Sequence, residues 1–262
     1  MNCSRKGKCK GCQGVNICSK EIEYTNKFYE KYKPRQPAPC VGDIVDGRKV
    51  YSHSGEDVIM EKMLDILGIK KGWVCEFGAW DGKYLSNTFR FVKNGWDAIM
   101  IEAEPQKYKD LLKTAAAHPN ITPLNKMVDY NNTENSLDNI LKQTNIPIDF
   151  DILSIDIDSY DYHVWKSLEL YRPKIVCIEI NACVDPYNET HIHHPDRYWL
   201  TAFRPMYELG IKKGYTFVLQ AFNLIFIKNE LYDKLGNEFK YSDPLENFRM
   251  DWIKLKVSTG RR

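Results

Sequence analysis

The segment YTFVLQAFNLIFIK, residues 215–228, decides the fold class of this 262-residue chain. It contains two apolar runs, YTFVLQ and NLIFIK, and only Ala221 and Phe222 lie between them. A crossover between parallel strands needs roughly a dozen or more residues, so a link this short makes the two runs an antiparallel hairpin. The strand pattern of the chain therefore ends with a strand that reverses direction.

Five further apolar runs precede this hairpin, and amphipathic segments separate them. The predicted strands are WVCEF, DAIMIE, ITPLNKMV, FDILSIDID and KIVCIEIN. Helices are predicted from Glu56, from near Leu85 and from Pro105, and three more lie in TENSLDNILKQT, YDYHVWKSLELY and LTAFRPMYELGIKKG. Continuous apolar strands that alternate with helices indicate a largely parallel sheet covered on both faces. We therefore predict an α/β fold with a Rossmann-like, doubly wound, seven-stranded sheet that ends in the antiparallel hairpin.

Two extensions flank the predicted domain, which spans residues 51–230. Residues 1–50 form a basic, cysteine-rich N-terminal leader and linker, and residues 231–262 form a helical or extended tail. Residues 1–36 carry nine Lys/Arg against three Glu, although the net charge of the whole chain is only +2. A basic arm can contact an anionic partner, whereas the mildly acidic body does not indicate nucleic-acid binding.

The cysteines of the leader have the spacing of a candidate metal site. Cys3, Cys9, Cys12 and Cys18 form the pattern C-x5-C-x2-C-x5-C. Four thiols this close favour zinc in a reducing compartment, and disulfides, unliganded thiols and an iron–sulfur cluster remain alternatives. Cys75, Cys177 and Cys183 lie in or beside apolar runs and are predicted to be buried.

The lengths of the apolar runs and the N-terminal residues bear on the cellular location of the protein. No apolar run approaches the length of about 20 residues that spans a bilayer. The first 18 residues lack the apolar centre of a secretory signal. We therefore expect a cytoplasmic protein without a membrane span, and the sequence does not indicate its oligomeric state.

The predicted strands end in acidic or amide side chains, at the edge where doubly wound sheets bind ligands. Gly78 and Gly82 follow the first strand, and without a Cβ they let the loop approach a ligand closely. Glu102, about 20 residues further on, suits two ribose hydroxyls because a carboxylate accepts two hydrogen bonds. The strand-end residues are Glu76, Glu102, Asp129, Asp156, Asp158, Glu179 and Asn181.

Four segments resemble the successive motifs of FkbM-like and related class I S-adenosylmethionine (SAM) dependent methyltransferases. They are EFGAWDGKYLSNT, IMIEAEP, LSIDIDSYDYHVWKSL and KIVCIEIN, and the resemblance covers roughly residues 55–230. A reversed last strand is also usual in that class. The resemblance implies SAM as cofactor and methylation of hydroxyls on sugars, glycolipids or natural products. An acidic pocket also favours the positively charged sulfonium of SAM, whereas a pyrophosphate prefers bare helix-terminal amides.

The resemblance also implies roles for individual residues. Glu76, Gly78 and Gly82 would line the methionine and ribose part of SAM, Glu102 would bind the ribose, and Asp129 would lie near the adenine. The other residues predicted to bind the cofactor are Ala79, Trp80, Asp81, Asn87, Ala103 and Asp156. The chain departs from the family in its cysteine-rich leader and at Trp80, where many methyltransferases have Gly or Asn.

The segment SIDIDSYDYHVW concentrates acidic residues at one strand end. Asp156 and Asp158 offer hard oxygen ligands that could hold Mg²⁺, and a carboxylate there could instead act as general base for a substrate hydroxyl. Alternatively, Asp156 only closes the cofactor site and Asp161 only begins the next helix. His163 is a further candidate base in this segment.

The segment NETHIHHPDRYW is predicted to be a long loop over the edge where substrate enters. An imidazole can accept a hydroxyl proton near neutral pH, although the histidines could also be incidental surface residues. The predicted catalytic residues are Asp158, His163 and His193. The predicted substrate-binding residues are Asp161, Glu179, Asn181, His191 and His194.

The sequence therefore predicts a SAM-dependent methyltransferase that acts on an oxygen of a sugar, glycan or other small polar acceptor. One alternative is a metal-dependent glycosyltransferase that uses Asp156-x-Asp158 to hold a nucleotide sugar. The other is a non-catalytic adaptor that binds its partner through the leader. Manganese-dependent binding of a nucleotide sugar without any response to SAM would favour the glycosyltransferase, and deletion of residues 1–36 separates an enzyme from an adaptor.

Overall fold

The computed structural model describes residues 39–131, 133–181, 184, 186, 188–197, 200–240 and 257–258. The predicted metal ligands Cys3, Cys9, Cys12 and Cys18, and also Cys183, lie outside these residues. Within the described part of the chain, no helix has the length and apolar character needed to cross a membrane.

The described residues form ten strands and seven α-helices. The strands are β1 Ile44–Val45, β2 Arg48–Lys49, β3 Trp73–Phe77, β4 Asp97–Ile101, β5 Ile121–Leu124, β6 Ile152–Ile155, β7 Ile175–Ile178, β8 Tyr215–Gln220, β9 Leu224–Lys228 and β10 Val257–Ser258. The helices are α1 Glu56–Ile66, α2 Phe89–Lys93, α3 Pro105–Ala117, α4 Leu137–Leu141, α5 Asp161–Ser167, α6 Phe203–Lys212 and α7 Asn229–Tyr232, and a 3₁₀ turn follows at Asn237–Phe239.

Seven of the strands form the main sheet, in the order β5-β4-β3-β6-β7-β9-β8. Neighbouring strands from β5 to β7 are parallel, whereas β9 is antiparallel to both β7 and β8. The prediction of a Rossmann-like seven-stranded sheet with an antiparallel terminal hairpin is therefore confirmed. Because β9 inserts between β7 and β8, its first residue lies at the edge where the parallel strands end.

Several element boundaries differ from the predicted ones, and those of α2 and β5 are examples. The helix expected near Leu85 begins at Phe89. Leu85 has φ of 57°, in the left-handed region that a right-handed helix excludes. The third strand ends at Leu124, and the predicted continuation to Val128 lies outside β5.

The main sheet buries a separate apolar core on each face. Side chains alternate along each strand, so neighbouring residues such as Val74 and Cys75 belong to different cores. Helix α1 packs Val58 and Met63 into the first core, and α5 packs Trp165 into the second. Cys75 and Cys177 are fully buried, as predicted. Burial on both faces explains the continuous apolar runs of the sequence.

A second, three-stranded sheet has the order β10-β1-β2. It pairs residues of the predicted leader with residues of the predicted tail, since Ile44 is opposite Ser258. The Arg90 side chain of α2 donates to the carbonyl oxygen of Lys49 and to Asp57 Oδ2, the latter at 2.9 Å. The segment of residues 44–49 is thus attached to the main domain by a hydrogen bond to Arg90, whose guanidinium also forms a buried ion pair with Asp57.

Candidate functional site

The carboxylate of Glu102 lies at the end of β4 in a fixed orientation. Its Oε2 accepts a hydrogen bond from the Trp80 amide at 2.8 Å, and its Oε1 accepts one from the Glu104 amide at 2.7 Å. These bonds tie the end of β4 to the loop after β3. Each carboxylate oxygen has two lone pairs, so both can accept a further hydrogen bond from a ligand hydroxyl.

The two glycines of the loop have a structural role that the sequence did not indicate. Both have positive φ, 76° at Gly78 and 75° at Gly82. A Cβ on Gly78 would lie 2.0 Å from the Asp156 carbonyl oxygen, and one on Gly82 would lie 2.7 Å from Leu111 Cδ1. The space that each missing Cβ leaves is filled by the protein. Both glycines are therefore explained by packing within the protein, and the close approach of this loop to a ligand stays a prediction.

The buried carboxylate of Glu76 accepts its hydrogen bonds from other residues of the chain. The residue is 4% exposed, and its carboxylate accepts hydrogen bonds from Ser86 Oγ at 2.5 Å, the Asn87 amide at 2.9 Å and Thr88 Oγ1 at 2.7 Å. The Asn87 amide nitrogen Nδ2 in turn donates to Ser154 Oγ at 3.0 Å. Burial raises the pKa of Glu76, and these hydrogen bonds oppose the rise. Glu76 and Asn87 therefore fix the segment that leads into α2.

Two other predicted residues of this loop also bond to the protein itself. Ala79 is buried, and its amide donates to the Ile101 carbonyl oxygen at 3.1 Å. Asp81 Oδ1 accepts from the amides of Lys83 at 3.0 Å and Tyr84 at 2.8 Å, which closes a turn.

The ends of β4 and β5 carry two more predicted cofactor residues. Ala103 is exposed, and its carbonyl oxygen accepts from Asn125 Nδ2 at 3.2 Å. Asp129 accepts from the Asn131 amide at 3.1 Å and from the Thr133 hydroxyl. Asp129 therefore orders its own turn, at the edge of the sheet where the resemblance predicts the adenine.

Three carboxylates converge at the ends of β6 and β7. One oxygen from each of Asp156, Asp158 and Glu179 lies within 4.8 Å of the others. Burial and the neighbouring carboxylates raise the pKa of both Asp156 and Glu179. Asp158 has φ of 59°, a left-handed conformation that turns the chain at the cluster. We call these three residues the acidic cluster.

Asp161, predicted to contact substrate, is a buried structural acid at the start of α5. Its carboxylate accepts from the Ile157 amide at 3.0 Å and the Ser159 amide at 2.9 Å. Burial, opposed by these bonds, raises its pKa to about 6. This arrangement matches the alternative in which Asp161 begins the helix.

Sequence reasoning missed two residues that contact the acidic cluster or hold its neighbours. Asn223 Nδ2 donates to Asp156 Oδ2 at 3.3 Å from the turn between β8 and β9. Glu56 Oε1 accepts from the amides of Phe222 at 2.8 Å and Asn223 at 3.1 Å, and so fixes that turn. The ring of His53 contacts that of Phe222 in a tilted arrangement with 4.0 Å between centroids. The sequence did contain a clue, because a reversed strand begins where the parallel strands end.

The structure brings two of the candidate bases together. His163 Nε2 lies 3.3 Å from the His193 carbonyl oxygen. The rings of Tyr130 and Tyr160 stack at 5.1 Å, His163 lies 4.9 Å from Tyr130, and His193 lies 4.6 Å from Tyr160. Burial lowers the pKa of His163. These four rings form a compact group, and its Tyr160 follows Asp158 by two positions in the chain.

The remaining predicted substrate residues differ in position. His191 Nδ1 lies 3.3 Å from Glu189 Oε2. The side chain of His194 is 53% exposed and lies beside Asp196. The amide of Asn181 donates to the Thr201 carbonyl oxygen at 2.9 Å. His194 is therefore a surface residue, whereas Asn181 continues from the end of β7, two positions after Glu179.

An open pocket of about 550 Å³ lies beside the loop after β3. Trp80 is 46% exposed, and Lys107 Nζ lies 5.5 Å from its ring centroid. The Trp80 side chain therefore does not pack beneath its loop. The pocket is lined by Val41, Gly42, Lys49, Val50, Tyr51, Trp80, Asp81, Lys83, Tyr84, Phe89 and Asp110.

The acidic cluster has the ligand chemistry of a divalent-cation site. Glu179 is 5% exposed, and its Oε2 has no hydrogen-bond partner among the described residues. Carboxylate oxygens are the ligands that Mg²⁺ and Ca²⁺ prefer. A buried carboxylate beside two others is costly without a positively charged partner, and a divalent cation would supply one. The residues present therefore fit such an ion.

Comparison with known proteins gives distant structural matches alone. No family model and no curated protein matches the sequence. A SAM-dependent methyltransferase from Aquifex aeolicus is 12% identical, with a TM-score of 0.39 over 66% of this chain and 88% of its own. A TehB-like SAM-dependent methyltransferase from Corynebacterium glutamicum is 10% identical, with a TM-score of 0.40 over 80% and 98%. A Methanococcus jannaschii fibrillarin pre-rRNA processing protein is 17% identical, with a TM-score of 0.42 over 61% and 67%. At these values the matches carry no argument about the reaction.

Proposed function

We propose that this protein is a SAM-dependent methyltransferase that methylates a hydroxyl of a sugar, glycan or other small polar acceptor. One observation carries the proposal. Glu102 holds the Trp80 amide, and Gly78, in the same loop, packs on the carbonyl oxygen of Asp156. The same short loop therefore contacts both Glu102, the proposed ribose ligand, and the acidic cluster. This arrangement suits a cofactor that lies between them.

The cofactor half of the site is the edge from β5 to β3. Glu102 supports ribose binding because two amides fix its carboxylate while lone pairs remain free for hydroxyls. Ala103 and Asp129 follow the ends of β4 and β5 and are proposed to contact the adenine. When bound, SAM supplies an electrophilic methyl group on a positively charged sulfur.

The acceptor half is the edge formed by β6, β7 and the turn before β9. Asp156, Asp158 and Glu179 are proposed to hold a divalent cation such as Mg²⁺. A cation there would lower the pKa of a coordinated hydroxyl and orient it. His191 and Asn181, from the chain that follows β7, are proposed to contact the rest of the acceptor.

Methyl transfer needs alignment and the removal of one proton. The chain would hold the acceptor hydroxyl in line with the methyl group that SAM supplies, and one of its bases would accept the hydroxyl proton. His163 is the base we favour, because burial lowers its pKa and keeps the imidazole neutral at pH 7. Asp158 and His193 are the other candidates.

Titration calorimetry with S-adenosylhomocysteine tests the cofactor assignment. Wild-type protein should bind it, and Glu102→Ala should weaken binding at least about tenfold through loss of the ribose contacts. Glu104→Ala is the matched control, because that side chain is 55% exposed and lies two positions away. Undetectable binding by wild-type protein would overturn the proposal.

The same preparation separates the alternatives. Manganese-dependent binding of a nucleotide sugar without any response to SAM would favour the glycosyltransferase. A protein that lacks residues 1–36 should still bind S-adenosylhomocysteine if it is an enzyme, whereas an adaptor should lose its partner. Zinc in the leader, a cytoplasmic location, FkbM-like specificity and the predicted domain boundaries stay predictions.

A further inference from the structure

The turn between β8 and β9 brings an amide side chain to the acidic cluster. The antiparallel register pairs Leu224 of β9 with Ile178 of β7. The residue before Leu224 therefore lies opposite the residue after Ile178, which places Asn223 opposite Glu179. Adjacent strands are about 4.8 Å apart, so the two side chains reach the same volume.

The amide of Asn223 is only partly satisfied within the described chain. The residue is 1% exposed, and its Nδ2 makes a long hydrogen bond of 3.3 Å to Asp156 Oδ2. Its Oδ1 is buried and has no hydrogen-bond partner among the described residues. A buried amide oxygen without a hydrogen-bond donor lowers the stability of the folded protein. Its position beside the acidic cluster therefore points to a positively charged ligand.

The geometry suits a shared cation. The two ends of an Asn amide differ only in which atom is nitrogen, and exchanging them would put Oδ1 beside Asp156 Oδ2. Neighbouring oxygen ligands of an octahedral Mg²⁺ are about 3.0 Å apart, and those of the larger Ca²⁺ about 3.4 Å apart. The observed separation of 3.3 Å falls between these values.

Glu56 holds the turn in place for this role. Its buried carboxylate accepts from the amides of Phe222, Asn223 and Ser54 at 2.8, 3.1 and 2.8 Å. These bonds fix the backbone of Asn223, so that only its side-chain torsion needs to change on binding. Glu56 is thus a positioning residue, since it acts through the turn.

We propose that Asn223 supplies the fourth protein ligand of the divalent cation, through its side-chain oxygen, and completes the set formed by Asp156, Asp158 and Glu179. This inference rests on the proposed cation site and adds a ligand from the reversed strand. A neutral fourth oxygen coordinates the cation without adding a further negative charge to the cluster.

Mn²⁺ binding measured by electron paramagnetic resonance tests the proposal without any turnover. Asn223→Leu should bind Mn²⁺ about tenfold more weakly than wild-type protein, the scale seen when support for a metal is removed. Asn223→Asp should bind it several-fold more tightly, because it keeps the oxygen and adds a charge. Asn120→Ala is the control: Asn120 is a part-buried amide that bonds to the carbonyl oxygens of Val92 and Trp96.

The outcomes separate this inference from the proposed function. If Asn223 only donates a hydrogen bond to Asp156, then Asn223→Asp should weaken Mn²⁺ binding, and that result would overturn the inference. Mn²⁺ binding by Asn223→Leu within twofold of wild-type protein would also overturn it, while leaving the three-carboxylate site intact. Absence of Mn²⁺ binding by wild-type protein would remove both the cation site and this inference, and would leave the SAM assignment to calorimetry.

Discussion

Replacement of Glu179 by glutamine should make the cation-free protein more stable. The Glu179 side chain is almost fully buried, and one of its oxygens lies within 4.8 Å of oxygens of Asp156 and Asp158. Glutamine has nearly the same shape and removes one negative charge from the cluster. A residue that binds a cation thus costs stability in the absence of that cation, which is a known trade-off at functional sites.

The size of the effect follows from the separation of the charges. Two unit charges 4.8 Å apart repel by about 3.5 kcal/mol at an effective dielectric constant of 20. Solvent around the exposed Asp158 and proton uptake by the carboxylates reduce this value. We expect Glu179→Gln to raise the free energy of unfolding by about 1–2 kcal/mol at pH 7 in the presence of a chelator.

The dependence on pH has a defined sign. The raised pKa means that folded protein keeps a proton on Glu179 that the unfolded chain releases above its ordinary carboxyl value of 4.5. Folding therefore weakens as pH rises from that value toward the folded-state pKa. The gain from Glu179→Gln should be small near pH 4 and should grow through pH 7.

Urea unfolding followed by tryptophan fluorescence measures these changes. Glu134→Gln, at an exposed acid, is the matched control. Mg²⁺ at about 100 times its dissociation constant should add about 2.7 kcal/mol to wild-type protein and much less to Glu179→Gln. If Glu179→Gln is instead less stable than wild-type protein in chelator at pH 7, the carboxylate has a structural role and the reasoning is wrong.

Three further mutations test other parts of the site. Glu76→Ala should lower the free energy of unfolding by about 3 kcal/mol, since it leaves the buried donors of Ser86 and Thr88 unpaired; a loss below about 0.5 kcal/mol would contradict this role. Gly78→Ala should cost at least about 2 kcal/mol and weaken Mn²⁺ binding, because its Cβ would meet the Asp156 carbonyl oxygen at 2.0 Å; unchanged unfolding and binding would show that the loop is not packed there. Trp80→Ala should change unfolding by no more than about 0.5 kcal/mol, because the ring is 46% exposed; a large loss in thermal denaturation would show that the ring supports the loop.

The fold was predictable because its strands are buried on both faces. Segments such as Trp73–Phe77 and Ile175–Ile178 are apolar throughout and stand apart from the amphipathic helices. The two-residue link between YTFVLQ and NLIFIK allowed only an antiparallel hairpin. The start of α2 was less predictable, because it depends on Glu76 binding the segment ahead of Phe89.

The sequence could not show which partners the acidic side chain at a strand end contacts. Glu76 and Glu102 end neighbouring strands in the same way, yet Glu76 takes hydroxyl donors from its own protein and Glu102 takes two amides. The donors near Glu76 were visible as Ser86 and Thr88, but their reach depends on the left-handed turn at Leu85. Four hydrogen bonds from the protein occupy the lone pairs of the Glu76 carboxylate, whereas Glu102 accepts two and keeps acceptor capacity for a ligand.

The contact between Asn223 and Asp156 can be predicted only once the strand order of the sheet is known. The two residues are 67 positions apart in sequence. Insertion of β9 next to β7 was not readable from the hairpin alone, because β8 could equally have paired there. Once that order is known, the register puts the first residues of β9 beside the last residues of β7.

A crystal structure with S-adenosylhomocysteine and Mn²⁺, measured at the manganese absorption edge, tests the central claim most directly. We expect an anomalous peak at about 2.1–2.2 Å from oxygens of Asp156, Asp158 and Glu179, with the ribose hydroxyls on Glu102. S-adenosylhomocysteine bound away from Glu102, or absent from well-ordered crystals, would contradict the account.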